Sequence, residues 1–161
     1  MSEETEGTPI PHVLIVEARY YPKIADELLK GATEALNTAG VPFDKVTVPG
    51  ALEIPAAIRY AIKSREFNPV RRRFDGYIAL GCVIRGQTAH FDYVCQECAR
   101  GIQDLVNNYT LAVGFGVLTV DNEQQAMERA SVKKRNKGGE AANTCLKMIE
   151  LKRQFRLFPR A

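Results

Sequence analysis

Strand-type and helix-type periodicity alternate along almost all of this 161-residue chain. The first apolar run, HVLIVEA (12–18), is continuous, which is typical of a strand buried on both faces of a parallel sheet. A helical pattern then runs from Pro22, which suits a first helical turn, to Gly40, which suits a helix end. Its apolar residues recur at helical spacing: Ile24, Leu28, Ala32, Ala35 and Leu36.

The alternation continues to the end of the chain. The later predicted elements are a strand at 46–48, a helix at 54–63, a strand at 77–84, a helix from His90, a strand at 111–119, a helix to about Lys133 and a last helix at 136–155. Asp121 and Gln124 are the expected capping pair of the helix that ends near Lys133. The predicted buried side of the last helix comprises Ala141, Cys145, Met148, Ile149 and Leu151. Because crossovers between parallel strands place helices on both faces of a sheet, the pattern predicts an α/β chain with a three-layer, flavodoxin-like arrangement.

The composition is that of one globular domain, expected over residues 12–158, with a flexible N-terminal tail at 1–11. No apolar run is long enough to span a membrane, and the acidic tail lacks a signal-peptide core, so we expect a cytoplasmic protein. The net charge of +3 is too small to indicate a nucleic-acid partner. The cluster Arg71, Arg72 and Arg73 favours a solvated loop over a nucleic-acid site.

Four cysteines include one Cys-x-x-Cys pair, Cys95 and Cys98, which is compatible with a redox pair or half of a zinc site. No second ligand pair follows. Phe91, Ile102 and Leu105 continue the spacing of the two thiols along one helical stripe, which favours buried, reduced cysteines and no metal site.

The segment GCVIRGQTAHFDYV (81–94) follows the third predicted strand and leads into a helix. Ligands of open α/β sheets collect at the carboxyl ends of strands, where loop amides and helix N-termini meet them. Thr88 offers a hydroxyl there, and His90 offers an imidazole that can transfer protons near neutral pH. The pattern indicates a small-molecule reaction site, although a single histidine after a glycine loop is often structural.

Four blocks, in order, carry a family resemblance: VPGALEIPAA, GCVIRGQTAHFDYV, GFGVLTVDNEQQAMERA and NKGGEAA. From about Val13 to Met148 the chain resembles the lumazine synthases. The resemblance implies a four-stranded parallel sheet flanked by helices in each subunit, and homopentamers with active sites at subunit interfaces. It also implies an enzyme of riboflavin biosynthesis, a transferase that condenses 5-amino-6-ribitylaminouracil with 3,4-dihydroxy-2-butanone 4-phosphate. The product is 6,7-dimethyl-8-ribityllumazine, phosphate and water are released, and neither cofactor nor metal is needed.

The same resemblance assigns roles to individual residues. His90, in AHFDYV, matches the catalytic histidine, and Asp92 either orients it or is an early-helix acid favoured by the helix dipole. Phe115 matches an aromatic that a neighbouring subunit contributes to the site. The implied phosphate-binding residues are Gln87, Thr88, Arg129 and Lys137. The implied residues for the ribitylaminouracil are Tyr20, Ala51, Leu52, Glu53, Cys82, Val83 and Ile84.

Departures from the common family pattern bear on assembly. The turn ASVKKRNKG (130–138) and an insertion at 68–73 favour isolated pentamers over a 60-subunit shell. Riboflavin synthase is a candidate partner, and neither a nucleic-acid nor a membrane partner is expected. The alternative function is a non-catalytic relative that binds flavin or lumazine. Turnover separates the two functions.

Overall fold

The computed structural model describes residues 7, 9–68 and 73–158. Strands and helices alternate through these ranges as the sequence predicts. They are β1 (Val13–Ala18), α1 (Pro22–Thr38), β2 (Phe43–Val48), a short 3-10 helix (Ala51–Glu53), α2 (Ile54–Phe67), β3 (Gly76–Ile84), α3 (His90–Tyr109), β4 (Val113–Val120), α4 (Glu123–Ala130) and α5 (Lys137–Gln154). Most of the predicted N-terminal tail, together with Arg71 and Arg72, lies outside the described residues.

The four strands form one parallel sheet in the order β2-β1-β3-β4, which confirms the predicted three-layer, flavodoxin-like fold. Every residue of β1 is buried, as its unbroken apolar run predicts. Val13 and Ile15 belong to a core shared with α1, α4 and α5. Leu14 and Val16 belong to a second core, shared with α2 and α3 on the other face. Both faces of the sheet are therefore covered by helices.

The end of α1 fits the sequence prediction and has a clear local cause. Gly40 adopts the left-handed conformation (φ +68°), which glycine tolerates without steric cost. Its N–H donates to the carbonyl of Asn37, and the N–H of Val41 donates to the carbonyl of Leu36. These paired bonds are those of a Schellman motif, and the burial of Val41 and Leu36 adds the accompanying apolar contact. The motif ends the helix and turns the chain towards β2.

Two elements are longer than predicted. β2 begins at Phe43 instead of residue 46, because Phe43, Asp44 and Lys45 pair with the first half of β1. Its residues are largely exposed, as suits an edge strand, so hydrophobicity does not mark them. α2 extends past Lys63 to Phe67, and an ion pair between Lys63 and Glu66 supports its last turns. Both residues are exposed, so hydrophobicity does not mark this end.

The predicted cap and end of α4 are wrong. Asn122 is the N-cap, and its Oδ1 accepts a hydrogen bond from the N–H of Gln125 at 2.8 Å. The side chain of Gln125 accepts in turn from the N–H of Asp121. The capping residues Asn122 and Gln125 therefore lie one residue later than the expected pair. The helix ends at Ala130 because Ser131 has extended backbone angles (φ −55°, ψ 127°).

The predicted buried side of α5 is partly wrong. Ala141, Cys145 and Ile149 are buried at a spacing of four, as expected. Met148 and Leu151, however, are 38% and 41% exposed. Leu151 follows Ile149 by two residues, which is about 200° around a helix, so its side chain lies away from the sheet.

Candidate active site

The sheet order creates a crevice between β1 and β3. These strands are neighbours, but β1 connects to β2 on one side and β3 connects to β4 on the other. Ligands of open α/β sheets bind outside the carboxyl ends of strands at such a switch point. A cavity of about 420 Å³ lies there. Its lining residues are Tyr20, Tyr21, Pro49, Gly50, Ala51, Leu52, Glu53, Cys82, Val83, Ile84, Gly86, Thr88, His90, Phe91 and Val94.

The loop after β1 presents an aromatic side chain at the mouth of the cavity. Tyr20 is 72% exposed, and its ring meets the ring of Tyr21 edge-on at 5.0 Å. An exposed aromatic beside a cavity leaves a face free for stacking on a flat ligand. Tyr21 is the N-cap of α1 and packs against the core. Its ring contact with Tyr20 therefore links Tyr20 to the core.

A buried carboxylate holds this loop to the sheet. Glu17, near the end of β1, is 1% exposed, and its carboxylate accepts a hydrogen bond from Arg19 at 3.0 Å. The hydroxyl of Thr47 and the ammonium of Lys45, both on β2, lie 3.1 and 3.3 Å from the other carboxylate oxygen. A buried charge needs such partners, because it has lost its hydration. Arg19, the residue before Tyr20, is anchored to the core by its bond to Glu17.

The segment after β2 forms another wall of the cavity. Pro49 and Gly50 end the strand, and the short 3-10 helix at 51–53 turns the chain into α2. Ala51 is buried, whereas Leu52 and Glu53 are exposed towards the cavity mouth. The carboxylate of Glu53 is therefore free to accept hydrogen bonds from a polyhydroxy ligand.

The end of β3 and the first turn of α3 complete the cavity. Residues 82–84 are half-buried along it. The hydroxyl oxygen of Thr88 accepts a hydrogen bond from the backbone N–H of His90 at 3.3 Å, and its own O–H can still donate to an anion. His90 is the first residue of α3 and is exposed, with no side-chain hydrogen bond or ion pair among the described residues. Its imidazole is accessible to a ligand in the cavity.

Within the described ranges, Asp92 forms no side-chain hydrogen bond or ion pair with His90. Its carboxylate lies 3.5 Å from Nη1 of Arg85, which also bonds Asp121 beyond the end of β4. Of the two roles open for Asp92 at the sequence level, its place in the first turn of α3 agrees with the helix-dipole role.

The cysteine thiols are buried or half-buried, which makes them poorly reactive. All four are free thiols, and burial raises the pKa of Cys82, Cys98 and Cys145 to about 12. Cys95 is only half-buried, because Val94 takes its expected place on the buried stripe of α3. No group of three or more metal-ligating side chains occurs in the described ranges.

We expect these three thiols to resist 5,5′-dithiobis-(2-nitrobenzoic acid) in the folded protein at about pH 8. The thiolate is the reacting species, and a thiol whose pKa is about 12 in the fold forms almost none there. The measurement is the absorbance of the released thiophenolate from a Cys95→Ser variant, native and in guanidinium chloride. Rapid reaction of the native variant would contradict the burial of these thiols.

Similarity to known proteins identifies the family. A model of the 6,7-dimethyl-8-ribityllumazine synthase family matches residues 11–153. A 6,7-dimethyl-8-ribityllumazine synthase of Bartonella tribocorum is 56% identical over 145 residues, which cover 90% of this chain and 92% of the relative. The corresponding synthase of Paramagnetospirillum magneticum is 48% identical over 90% of this chain and 97% of its own length. A relative named 6,7-dimethyl-8-ribityllumazine synthase 1, from Rhizobium meliloti, is 52% identical over 89% and 93% of the two chains.

The chain belongs to the 6,7-dimethyl-8-ribityllumazine synthase family. Within this lumazine synthase fold, nine residues singled out from the sequence line one cavity. They are Tyr20, Ala51, Leu52, Glu53, Cys82, Val83, Ile84, Thr88 and His90. Six further lining residues were not assigned individual roles: Tyr21, Pro49, Gly50, Gly86, Phe91 and Val94. Each lies within four residues of one that was assigned a role, and three of them lie in the predicted segment 81–94.

Four other predicted residues of the lumazine synthase site do not line this cavity. Gln87 is exposed on the loop between Gly86 and Thr88. The remaining three, Phe115, Arg129 and Lys137, belong to β4, α4 and α5. Phe115 is 41% exposed on the edge strand β4, and Lys137 forms an ion pair with Glu140 at 2.8 Å.

Arg129 lines a different depression of about 360 Å³ with Asn122, Gln124, Gln125 and Glu128. It is half-buried, and its Nη1 donates a hydrogen bond to the carbonyl of Gln125 at 3.0 Å. The residues implied for the phosphate are thus divided within a single lumazine synthase chain: Thr88 lies at the cavity and Arg129 lies outside it.

None of the helices in the described ranges is long and apolar enough to cross a membrane.

Proposed function

We propose that this chain catalyses the condensation of 5-amino-6-ribitylaminouracil with 3,4-dihydroxy-2-butanone 4-phosphate in riboflavin biosynthesis. The products are 6,7-dimethyl-8-ribityllumazine, phosphate and water. The observation that carries the proposal is one cavity at the β1/β3 crevice that contains His90 and Thr88 in a chain of the lumazine synthase family. The exposed ring of Tyr20 and the exposed carboxylate of Glu53 at the same cavity suit a flat, polyhydroxylated substrate.

The chemistry needs alignment and proton transfer. An amine of the uracil attacks the ketone, water leaves as an imine forms, phosphate is eliminated, and a second carbonyl condensation releases water and closes the ring. Tyr20 stacks on the pyrimidine, backbone groups of 82–84 lie along it, and Glu53 accepts hydrogen bonds from the ribityl hydroxyls. His90 transfers the protons. Alignment of two reactants contributes the larger share, about 7–11 kcal/mol in favourable cases, against 10²–10⁴-fold for a proton-transfer group.

Part of the phosphate end of the site, together with one aromatic side chain, comes from a second subunit. Phe115, Arg129 and Lys137 lie outside the cavity of their own chain, and all three belong to its C-terminal half. In a ring of identical subunits, the same two different surfaces meet at every interface. We therefore infer a ring in which each cavity faces the surface around Arg129 of a neighbouring subunit. The family resemblance implies that this ring is a homopentamer, and we infer no further assembly into a shell.

The proposed setting follows from the chemistry. Four free thiols suit a reducing compartment, which favours the cytoplasm. Riboflavin synthase, which takes the lumazine as its substrate, is the proposed partner. The condensation is ionic throughout, so the proposal includes neither a metal nor a redox cofactor.

The direct test is the formation of fluorescent lumazine from the two purified substrates with and without the protein. The rate without protein is subtracted, because the condensation proceeds slowly unaided. Acceleration that saturates in both substrates is the expected result. Folded protein that binds riboflavin or the lumazine but leaves the rate at background would favour the non-catalytic alternative.

His90→Ala is expected to lower kcat about tenfold. This is less than the 10²–10⁴-fold that a proton-transfer group can contribute, because His90 is exposed and water can take over its proton transfers between substrates that remain aligned. Steady-state fluorescence kinetics with each substrate varied in turn are the measurement. An unchanged kcat would show that His90 only begins α3.

A further inference from the structure

Arg85 joins three segments of the site that are separate in the sequence. It follows β3 directly, and its backbone N–H donates to the carbonyl of Val120, the last residue of β4, at 2.8 Å. Its guanidinium lies over the ring of Phe91 in the first turn of α3, 4.3 Å from the ring centroid. A cation over an aromatic face at this distance is an attractive contact with a defined geometry.

Two carboxylates hold the guanidinium in that place. Nε of Arg85 donates to Oδ1 of Asp121 at 3.1 Å, and Nη1 lies 3.5 Å from Oδ1 of Asp92. All three side chains are about half exposed or more, so water and salt screen these pairs and they contribute little to the stability of the fold. Their effect is geometrical. The planar guanidinium is oriented by Asp121, which follows β4, and by Asp92, in the first turn of α3.

Two of these contacts are made to the residues that directly follow His90. Phe91 and Asp92 are the next two residues of α3, and Phe91 is 8% exposed while also lining the cavity. The imidazole of His90 itself has no side-chain hydrogen bond or ion pair in the described part of the chain. The position of the imidazole therefore depends on the main chain of the first turn of α3. Thr88 bonds this turn through the N–H of His90. Arg85 contacts the same turn through the side chains of Phe91 and Asp92.

We propose that Arg85 is a positioning residue that holds the first turn of α3, and with it His90, at the distance that proton transfer in the cavity requires. Arg85 does not line the cavity, so we infer that it acts without contacting a substrate. The inference rests on the proposed function. Small displacements of a reacting group are costly because catalytic rates depend steeply on alignment.

The test compares Arg85→Ala with Arg85→Lys, each alone and combined with His90→Ala. Arg85→Ala is expected to lower kcat about threefold to fivefold with both KM values changed less than about twofold, since the proton-transfer group is disordered and the binding surfaces remain. Lysine keeps the charge above Phe91 but loses the planar fork, so Arg85→Lys should recover part of the loss. In the His90→Ala background, Arg85→Ala should have no further effect, because it acts only through the imidazole.

Arg100→Ala is the matched control. Arg100, on α3, is similarly exposed and, like Arg85, pairs with two carboxylates and does not line the cavity. Its partners Glu97 and Asp104 lie beyond the first turn of α3, so it does not hold that turn. Its loss should leave kcat unchanged. Thermal unfolding of each variant shows that the fold is intact, and Arg85→Lys serves if Arg85→Ala does not fold.

The possible outcomes separate the two hypotheses. Wild-type protein without activity overturns the proposed function. Active wild type with an unchanged Arg85→Ala variant overturns only the positioning role. Equal losses from Arg85→Ala with and without His90 also overturn it, because the effect would then not pass through the histidine. A loss confined to KM would assign Arg85 to substrate binding instead.

Discussion

Arg129→Ala is expected to lower kcat/KM for 3,4-dihydroxy-2-butanone 4-phosphate by at least about a hundredfold, the usual effect of removing one preorganised donor from a developing anion. A guanidinium can bond two phosphate oxygens at once and stays charged as the phosphate departs. The side chain is half-buried and already fixed by its bond to the carbonyl of Gln125. Fluorescence kinetics with the butanone phosphate varied at saturating ribitylaminouracil measure the loss.

Two variants test whether the effect is specific. Arg129→Lys keeps the charge without the bidentate geometry and should fall between the wild type and Arg129→Ala. Lys134→Ala removes a nearby exposed cation that pairs with Glu128 at 3.1 Å, and its activity should stay close to wild type. An unchanged kcat/KM for the butanone phosphate in Arg129→Ala would refute the phosphate assignment.

Mixed oligomers of two variants test where Arg129 acts. If His90 and Arg129 of one site come from different subunits, a ring of His90→Ala and Arg129→Ala chains contains some interfaces with both residues intact. Random mixing at equal amounts makes about a quarter of the interfaces intact in a cyclic assembly. Coexpressed variants should therefore recover about that share of the wild-type rate. If well-assembled mixed rings recover no activity, His90 and Arg129 of one site belong to the same subunit.

Gly114→Ala is expected to destabilise the fold by about 3 kcal/mol or more, because overpacking of a closed interior costs about 1–3 kcal/mol and backbone clashes cost more. Gly114 lies on β4 where α5 crosses it. A Cβ added there would lie 1.8 Å from the carbonyl oxygen of Ala141, a main-chain atom that cannot move without shifting the helix. Urea unfolding followed by circular dichroism measures the change.

Gly81→Ala is the matched control for this substitution. Gly81 is also a buried strand glycine, on β3, but the nearest atoms to an added Cβ are side-chain carbons at 3.5 Å or more. That is ordinary van der Waals distance, so its stability should change by less than about 1 kcal/mol. Equal stabilities of the two variants would mean that β4 and α5 can separate at little cost.

The sequence was a good guide to elements with a strong local signal. The unbroken apolar run of β1 predicted a strand buried on both faces, and Gly40 marked the end of α1. It was a poor guide where the signal is weak or displaced. The exposed edge strand β2 carries little hydrophobic pattern, and the cap of α4 depends on which of two adjacent polar residues, Asp121 or Asn122, has its oxygen towards the helix.

For the site, the residues near His90 were predictable and the distribution of the others was not. The loop after β3 and the segment after β2 both follow strands, so their meeting at one sheet edge could be expected. Whether Arg129 reaches the same cavity depends on how α4 lies against α1 and the sheet, and no local pattern encodes that. The family resemblance supplied a role for Arg129, and the structure shows that it lines a separate depression.

The sequence by itself determined which segments become strands and helices, because periodicity decides which faces of each segment can be buried. It also determined which chemical groups are available. Only the tertiary structure decided which of these groups meet, since the strand order β2-β1-β3-β4 brings together residues far apart in the chain. Arg85 and Asp121, separated by 36 positions, bond because β3 and β4 are paired in register and end side by side. Long-range contacts of this kind follow from packing, and packing is a property of the whole fold.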